Sequence, residues 1–140
     1  MAWAVTYLVD SSVWISFFHD PTGPLGQKFA DLVTRSAHDV LGCPPVRMEL
    51  LVDPHDLRRR RVLRVYDGFI STDILSEDFD LAAELYRAAR RGGHTIRSQV
   101  DCLIAAIAVR REAVLVHNDV DFDRLAECVD TLSVLRLPER

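Results

Sequence analysis

Four acidic residues, Asp10, Glu49, Asp101 and Asp119, stand just beyond an apolar run or in the first turns of a segment with helical patterning. Asp10 closes Val5-Thr6-Tyr7-Leu8-Val9, and Asp119 follows Ala113-Val114-Leu115-Val116-His117-Asn118. Carboxylates are strongly hydrated and rarely lie beside buried strands without a partner. Gathered at one sheet edge, they offer only oxygen ligands, which suit a hard divalent cation. Such an ion screens the charge that shields a phosphodiester, lowers the pKa of water and steadies a leaving oxygen; two of them would sit ~3.5–4 Å apart. Metal-assisted hydrolysis of a phosphate ester is the chemistry this spacing allows.

Each carboxylate also has a plain structural explanation. Asp10 and Asp119 could cap the helices that follow them. Ser98-x-x-Asp101 has the spacing of a capping box with aspartate in the glutamate position. Glu49 could pair with Arg47 or face solvent. Four unrelated coincidences at one edge of a sheet are nevertheless a weaker account than one site.

The elements that must position these residues alternate between strand and helix. Residues 5–9 read as a short buried strand, and Ser11-Ser12 open a helix over 11–18. A second helix covers 25–36, with Leu25, Phe29, Leu32 and Val33 on one face. Then come a strand at 39–43, a helix at 44–52 started by Pro44-Pro45, and a helix at 57–66. A strand at 68–74 precedes a helix at 77–91 closed by Gly92-Gly93. The most apolar helix spans 98–111, followed by a strand at 113–117, a short helix at 122–128 and a last strand at 131–135. This order predicts an α/β chain, with a mostly parallel sheet of four to five strands between two helical layers. In such sheets ligands bind outside the carboxyl ends of the strands.

Composition narrows the class. At 140 residues and 49% hydrophobic content, the expectation is one domain over 1–140 with a genuine core. The apolar stretch at 103–109 is far short of the ~20 residues that span a bilayer. The N-terminus lacks the pattern of a signal peptide. Three cysteines, Cys43, Cys102 and Cys128, form no C-x-x-C pair, so neither a disulfide framework nor a zinc site is expected, and the cytoplasm is the expected location. The formal net charge of −4 disfavours nucleic acid as a partner, but two divalent ions would bring it to about zero. Lys28 is the only lysine. Arg58, Arg59, Arg60 and Arg61 span a helical turn and read as a solvated face. Arg97, just before the apolar helix, is the better candidate for a phosphate contact.

Leu8-Val9-Asp10-Ser11-Ser12-Val13-Trp14, the stretch from Thr95 to Ala106 (TIRSQVDCLIAA) and Val116-His117-Asn118-Asp119-Val120-Asp121-Phe122-Asp123 closely resemble a PIN-domain ribonuclease. More narrowly, the chain resembles a VapC-type toxin of a bacterial type II toxin–antitoxin system. The resemblance covers essentially the whole chain, and 95–106 is its most specific part. It implies a PIN-like α/β/α fold and Mg²⁺-dependent endonucleolytic cleavage of RNA by a metal-activated water, with Mn²⁺ as an alternative ion. Asp10, Glu49, Asp101 and Asp119 match the family's acidic motif, with Asp10, Asp101, Asp119 and the less uniformly used Asp121 as metal ligands. Asp10 and Asp101 would be the direct ligands, with Asp119 and Glu49 acting as ligands through water or orienting the attacking water. Ser11 or Ser12 fills the family's small-residue position after the first Asp, and both alternatives stand. Trp14, Phe17 and Phe18 read as core or interface; the resemblance also implies a VapB-type antitoxin, a homodimer, and a partner surface around these three aromatics.

Two rivals remain at this point. A phosphoryl-transfer domain of the receiver or haloacid-dehalogenase kind would need a paired acidic element at Asp10 and a lysine near the phosphate. Ser11-Ser12-Val13 and the remote Lys28 argue against it. A non-catalytic, metal-bound interaction module is the other, and its complete acidic set argues against that.

Overall fold

The computed structural model describes residues 5–138; the two ends of the 1–140 span, with most of the N-terminal segment read for a signal peptide, lie outside the described residues. The elements are β1 (Tyr7–Val9), α1 (Ser11–His19), α2 (Pro24–Ser36), a 3-10 turn (Ala37–Asp39), β2 (Val40–Gly42), α3 (Pro44–Leu51), α4 (Asp56–Tyr66), β3 (Ile70–Ser71), α5 (Ser76–Arg91), α6 (Gln99–Arg110), β4 (Val114–His117), α7 (Val120–Cys128) and β5 (Ser133–Arg136). The strand order is β3-β2-β1-β4-β5, and every pairing is parallel.

This order fixes where a ligand can bind. From β1 the chain steps outward through β2 to β3, then crosses back to β4 and outward to β5. Right-handed crossovers therefore send α1–α4 to one face and α5–α7 to the other. The helices pack accordingly, α1 against α2, α3 and α4, and α5 against α6 and α7. Between β1 and β4 the connections diverge to opposite faces, which leaves a crevice at the carboxyl ends of those two strands. Asp10 follows β1, Asp119 lies two residues past β4, and α3 meets α6 across the same end.

The boundaries differ from expectation where local chemistry intervenes. The strand expected at 68–74 shrinks to two residues, because the Gly68 and Phe69 amides donate to Val65 and Tyr66 carbonyls and so continue the end of α4. The helix expected from 122 begins at Val120, because the Asp119 carboxylate caps it. Pro44-Pro45 do occupy the first helical turn of α3. Just before them, the Tyr66 hydroxyl accepts from the Cys43 amide at 2.7 Å and donates to the Cys43 carbonyl at 3.0 Å. A side chain at Gly42 would collide with that hydroxyl, so only glycine lets α4 close over the end of β2. Gly93, at φ 89°, supplies the left-handed turn after α5.

One expectation is corrected here. Trp14 presents no partner surface: it is 1% exposed and meets Phe29, Tyr66 and Phe69 edge-to-face, with centroids 5.0, 5.3 and 5.5 Å away. The helical turn of 100° per residue sends Val13 and Trp14 inward while Ile15 faces out, 53% exposed. Phe17 and Phe18 are half-buried at the rim of this core. Trp14→Ala should cost about 3–5 kcal/mol of stability in urea unfolding, the range for deleting a buried aromatic. Ile15→Ala should cost less than about 1 kcal/mol, as exposed substitutions do; equal losses would contradict this division of α1.

Candidate metal centre

Each acidic side chain is held by its own element. Asp10 is the N-cap of α1: its Oδ2 accepts from the Ser12 amide at 3.1 Å and from the Ser12 hydroxyl at 2.6 Å. Ser12 Oγ in turn accepts from the Asn118 amide at 3.0 Å, tying the loop after β4 to the end of β1. Ser11 is turned toward α3, where its hydroxyl donates to Glu49 Oε1 at 3.0 Å. The two serines thus divide the work, Ser12 orienting Asp10 and Ser11 orienting Glu49.

Asp10, Glu49 and Asp101 come together. One carboxylate oxygen of each lies within 4.8 Å of the others. The capping explanation for Asp101 is not borne out: Ser98 caps α6 without a side-chain hydrogen bond, and the Asp101 carboxylate makes none among the described residues. Asp10 does cap its helix, yet only through Oδ2; Oδ1 is buried and has no hydrogen-bond partner among the described residues. A buried, unpartnered carboxylate oxygen beside two other carboxylates is the arrangement that a hard cation resolves. The donor set is all oxygen, so the residues fit a divalent metal ion and do not favour a soft one.

Electrostatics agree with the geometry. Burial holds the Asp10 and Glu49 carboxyls above their ordinary values, and the charges of neighbouring carboxylates add to it. Asp101 is pushed up to about 7, first by burial and then by Asp10, Asp119, Glu49 and Asp121. Like charges packed in a site of low dielectric disfavour each other's ionisation until a cation arrives.

Asp119 and Asp121 stand apart from this trio. Asp119 caps α7, its Oδ1 accepting from the Asp121 amide at 2.9 Å and from Arg97 Nη2 at 3.1 Å. Asp121 is fully buried; its Oδ2 accepts from the Arg97 amide at 3.2 Å and from Arg97 Nε at 3.1 Å, and Arg124 Nη1 donates to Oδ1 at 3.1 Å. Burial would raise the Asp121 carboxyl, but the Arg97 and Arg124 contacts outweigh it and hold it below the usual range. Both oxygens of Asp121 are therefore engaged by arginines, which argues against its expected place among the metal ligands. His117 is a strand-end residue, as expected. It is buried, its Nδ1 accepts from the Asp119 amide at 3.1 Å, and burial keeps the ring neutral. Nε2 lies 3.2 Å from Asp123 Oδ1 without forming an aligned hydrogen bond.

Arg124 and the Asn118 amide were not foreseen as site components. Arg124 sits three residues after Asp121 on α7, a spacing that places side chains on one helical face and so was readable in principle. The Asn118–Ser12 link joins segments 106 residues apart and has no local signal. The arginines of α4 are largely surface: Arg58 pairs with Asp53 and Arg59 with Asp56, in exposed or half-exposed ion pairs.

Residues 7–127 match the sequence pattern of the PIN domain. A VapC ribonuclease of Mycobacterium bovis is 39% identical over 121 residues, covering 85% of this chain and 90% of the relative. Ribonuclease VapC11 of Mycobacterium tuberculosis is 39% identical over the same coverage. Among solved structures, VapBC2 of Rickettsia felis bound to a promoter DNA fragment shares the fold with a TM-score of 0.72 at 15% identity, covering 94% of this chain and 98% of that one. The matched span runs from β1 into the last turn of α7 and carries all five acidic positions, so the chain is a member of the PIN-domain family, on the branch of the VapC ribonucleases.

Proposed function

We propose that the chain is a Mg²⁺-dependent endoribonuclease toxin, held inactive by a VapB-type antitoxin and acting in the cytoplasm as a single domain. The observation that carries this reading is the cluster of buried Asp10 and Asp101 with half-buried Glu49, and with Asp10 Oδ1 unpartnered among the described residues, in a chain of the VapC branch. Asp10, Glu49 and Asp101 hold the ion. When bound, the ion supplies Lewis-acid polarisation of the phosphodiester and lowers the pKa of water. Ser12 keeps Asp10 Oδ2 turned to the helix amide, which leaves Oδ1 for the site. Ser11 sets the approach of Glu49. Asp119 stays on the phosphate side of the crevice beside Arg97, whose side chain is 70% exposed and whose Nη1 has no hydrogen bond among the described residues. That free edge is suited to an RNA phosphate.

The partner surface moves one helical step from the expected place. Ile15, Phe18 and His19 of α1 line a groove with Glu49 and Leu50 of α3, Val52 just past its end and Val62 of α4. An amphipathic antitoxin segment lying there would bring a basic side chain to the acidic trio. A homodimer is the assembly unit of this reading; the apolar groove between α5 and α6, rimmed by Phe79 at 56% exposure, is surface a second copy would cover. Among the described residues no helix is long and apolar enough to cross a membrane.

RNA cleavage should require Mg²⁺ or Mn²⁺ and stop in EDTA. Asp10→Asn, Asp101→Asn and Glu49→Gln should each lower kcat at least about 100-fold, as expected when a metal worth several kcal/mol is lost. Undiminished cleavage in chelator would end the metal reading.

The raised Asp101 carboxyl sets a pH dependence. In the unfolded chain it titrates near 3.8, the ordinary value of an aspartate, and in the fold at about 7. The folded, metal-free state therefore binds the extra proton across this window, and its stability falls as pH rises through it. Melting of the metal-free chain should weaken between pH 5 and pH 7.5 by ~1 kcal/mol or more, and Asp101→Asn should flatten that slope, leaving the smaller part that the raised Asp10 and Glu49 carboxyls contribute. Mn²⁺ affinity should run the opposite way, strengthening as Asp101 ionises.

Antitoxin and ion should also compete. A cationic side chain and a divalent ion neutralise the same carboxylates, so their binding is linked. Calorimetry at increasing Mg²⁺ should show antitoxin affinity falling; an unchanged affinity would assign inhibition to steric closure of the groove instead.

A further inference from the structure

The acidic residues at the crevice fall into two groups, distinguished by what neutralises them. Asp10, Glu49 and Asp101 have hydroxyl and amide partners at most, and no cationic partner among the described residues. Asp119 and Asp121 already share a cation. Arg97 reaches Asp119 through Nη2 and Asp121 through Nε, each at 3.1 Å, while its own amide anchors Asp121 at 3.2 Å. A guanidinium does not give up its proton in a protein and presents its donors as a rigid fork. Asp121 is fully buried, so it holds Arg97 in place because an unpaired carboxylate there would be strongly unfavourable. An ion approaching Asp119 therefore meets a fixed positive charge, and an Oδ1 that already accepts two hydrogen bonds.

We propose that Arg97 is the site's own second cation: it occupies the Asp119/Asp121 half of the crevice, so that the chain binds a single divalent ion at Asp10, Glu49 and Asp101. Arg97 is a positioning residue for that ion, and it rests on the metal reading given above. The segment that delivers Asp101 to the cluster also delivers, four residues earlier, the charge that closes the other half. Two positive groups then flank the phosphate, one exchangeable and one built in. The built-in one stays charged and ordered when the metal leaves, which keeps Asp119 and Asp121 from adding their full repulsion to the empty trio.

The test is Mn²⁺ binding to the purified full chain, by calorimetry and by the electron paramagnetic resonance of the ion, which needs neither RNA nor activity. The wild type and Arg97→Lys should each bind one Mn²⁺ per chain, and Arg97→Gln should bind two, the pair showing the spin coupling of neighbouring ions. Because the Arg97 side chain is 70% exposed, its loss opens no cavity, and Arg124 still engages Asp121. As a second variant, Asp119→Asn in the wild-type background should still bind one Mn²⁺ per chain, with a loss of affinity well below that of Asp101→Asn, because Asp119 acts on the trio only as a nearby charge. Two ions in the wild type, one ion in Arg97→Gln, or a large loss of affinity in Asp119→Asn would each overturn the proposal. Absence of Mn²⁺ binding in every variant would overturn the metal reading with it, whereas one ion throughout would remove the role of Arg97 alone.

Discussion

Mutual repulsion among carboxylates at the end of β1 and β4 is the constraint around which this molecule is built. A parallel sheet brings strand ends together at one edge, and the reversal of direction between β1 and β4 opens a crevice there. Asp10, Glu49 and Asp101 are brought into it from β1, α3 and α6. Burial penalises each charge and proximity penalises each again, which is why Asp101 is pushed up to about 7. A fold that tolerates this without a cation must be stabilised elsewhere, and the continuous apolar core from Trp14 and Phe29 through Ile104 and Leu115 to Phe122 is that reserve.

The scaffold limits the repulsion in two ways. Short-range hydrogen bonds fix the orientation of each carboxylate: Ser12 for Asp10, Ser11 for Glu49, and the α7 amide at Asp121 for Asp119. Helix caps do double duty here, since the oxygen that satisfies an orphan amide also fixes where the other oxygen points. Further out, charge is matched by charge. Arg97 and Arg124 neutralise Asp121, and the buried Asp78 of α5 is paired with Arg110 of α6 at 2.6 Å, so that α6 enters the site at a fixed angle. Breaking a buried pair of this kind by removing one partner typically costs 3–5 kcal/mol, so α6 is held by more than apolar contact.

How much of this could be read from the sequence depended on the range of the signal. The α/β alternation, the carboxylates at strand ends and the Pro44-Pro45 helix start are local patterns, and each was legible. Trp14, Phe17 and Phe18 read as core or interface without a choice between them, because adjacent aromatics carry no local mark of which side of α1 faces inward; the packing of Phe29, Tyr66 and Phe69 places Trp14 in the core. The strand expected at 68–74 failed for a related reason: amides that periodicity assigns to a sheet instead close the end of α4. The Arg97 contacts to Asp119 and Asp121, made from 22 and 24 residues away, had no local signal either, because sequence shows residue type and spacing and not which side chains meet across the fold.

Those arginine contacts also change what inhibition means at such a site. The carboxylate trio is a sink for positive charge of any origin: a proton on Asp101, a divalent ion, or a basic side chain from a partner all relieve the same repulsion. They differ in what they leave possible. A proton removes a ligand, and a basic side chain fills the space without polarising a phosphate, whereas a metal ion polarises the substrate. Control of the enzyme then follows from which cation holds the crevice. The repulsion that pushes Asp101 up to about 7 is also what makes the site bindable, because every ligand that neutralises the trio relieves it.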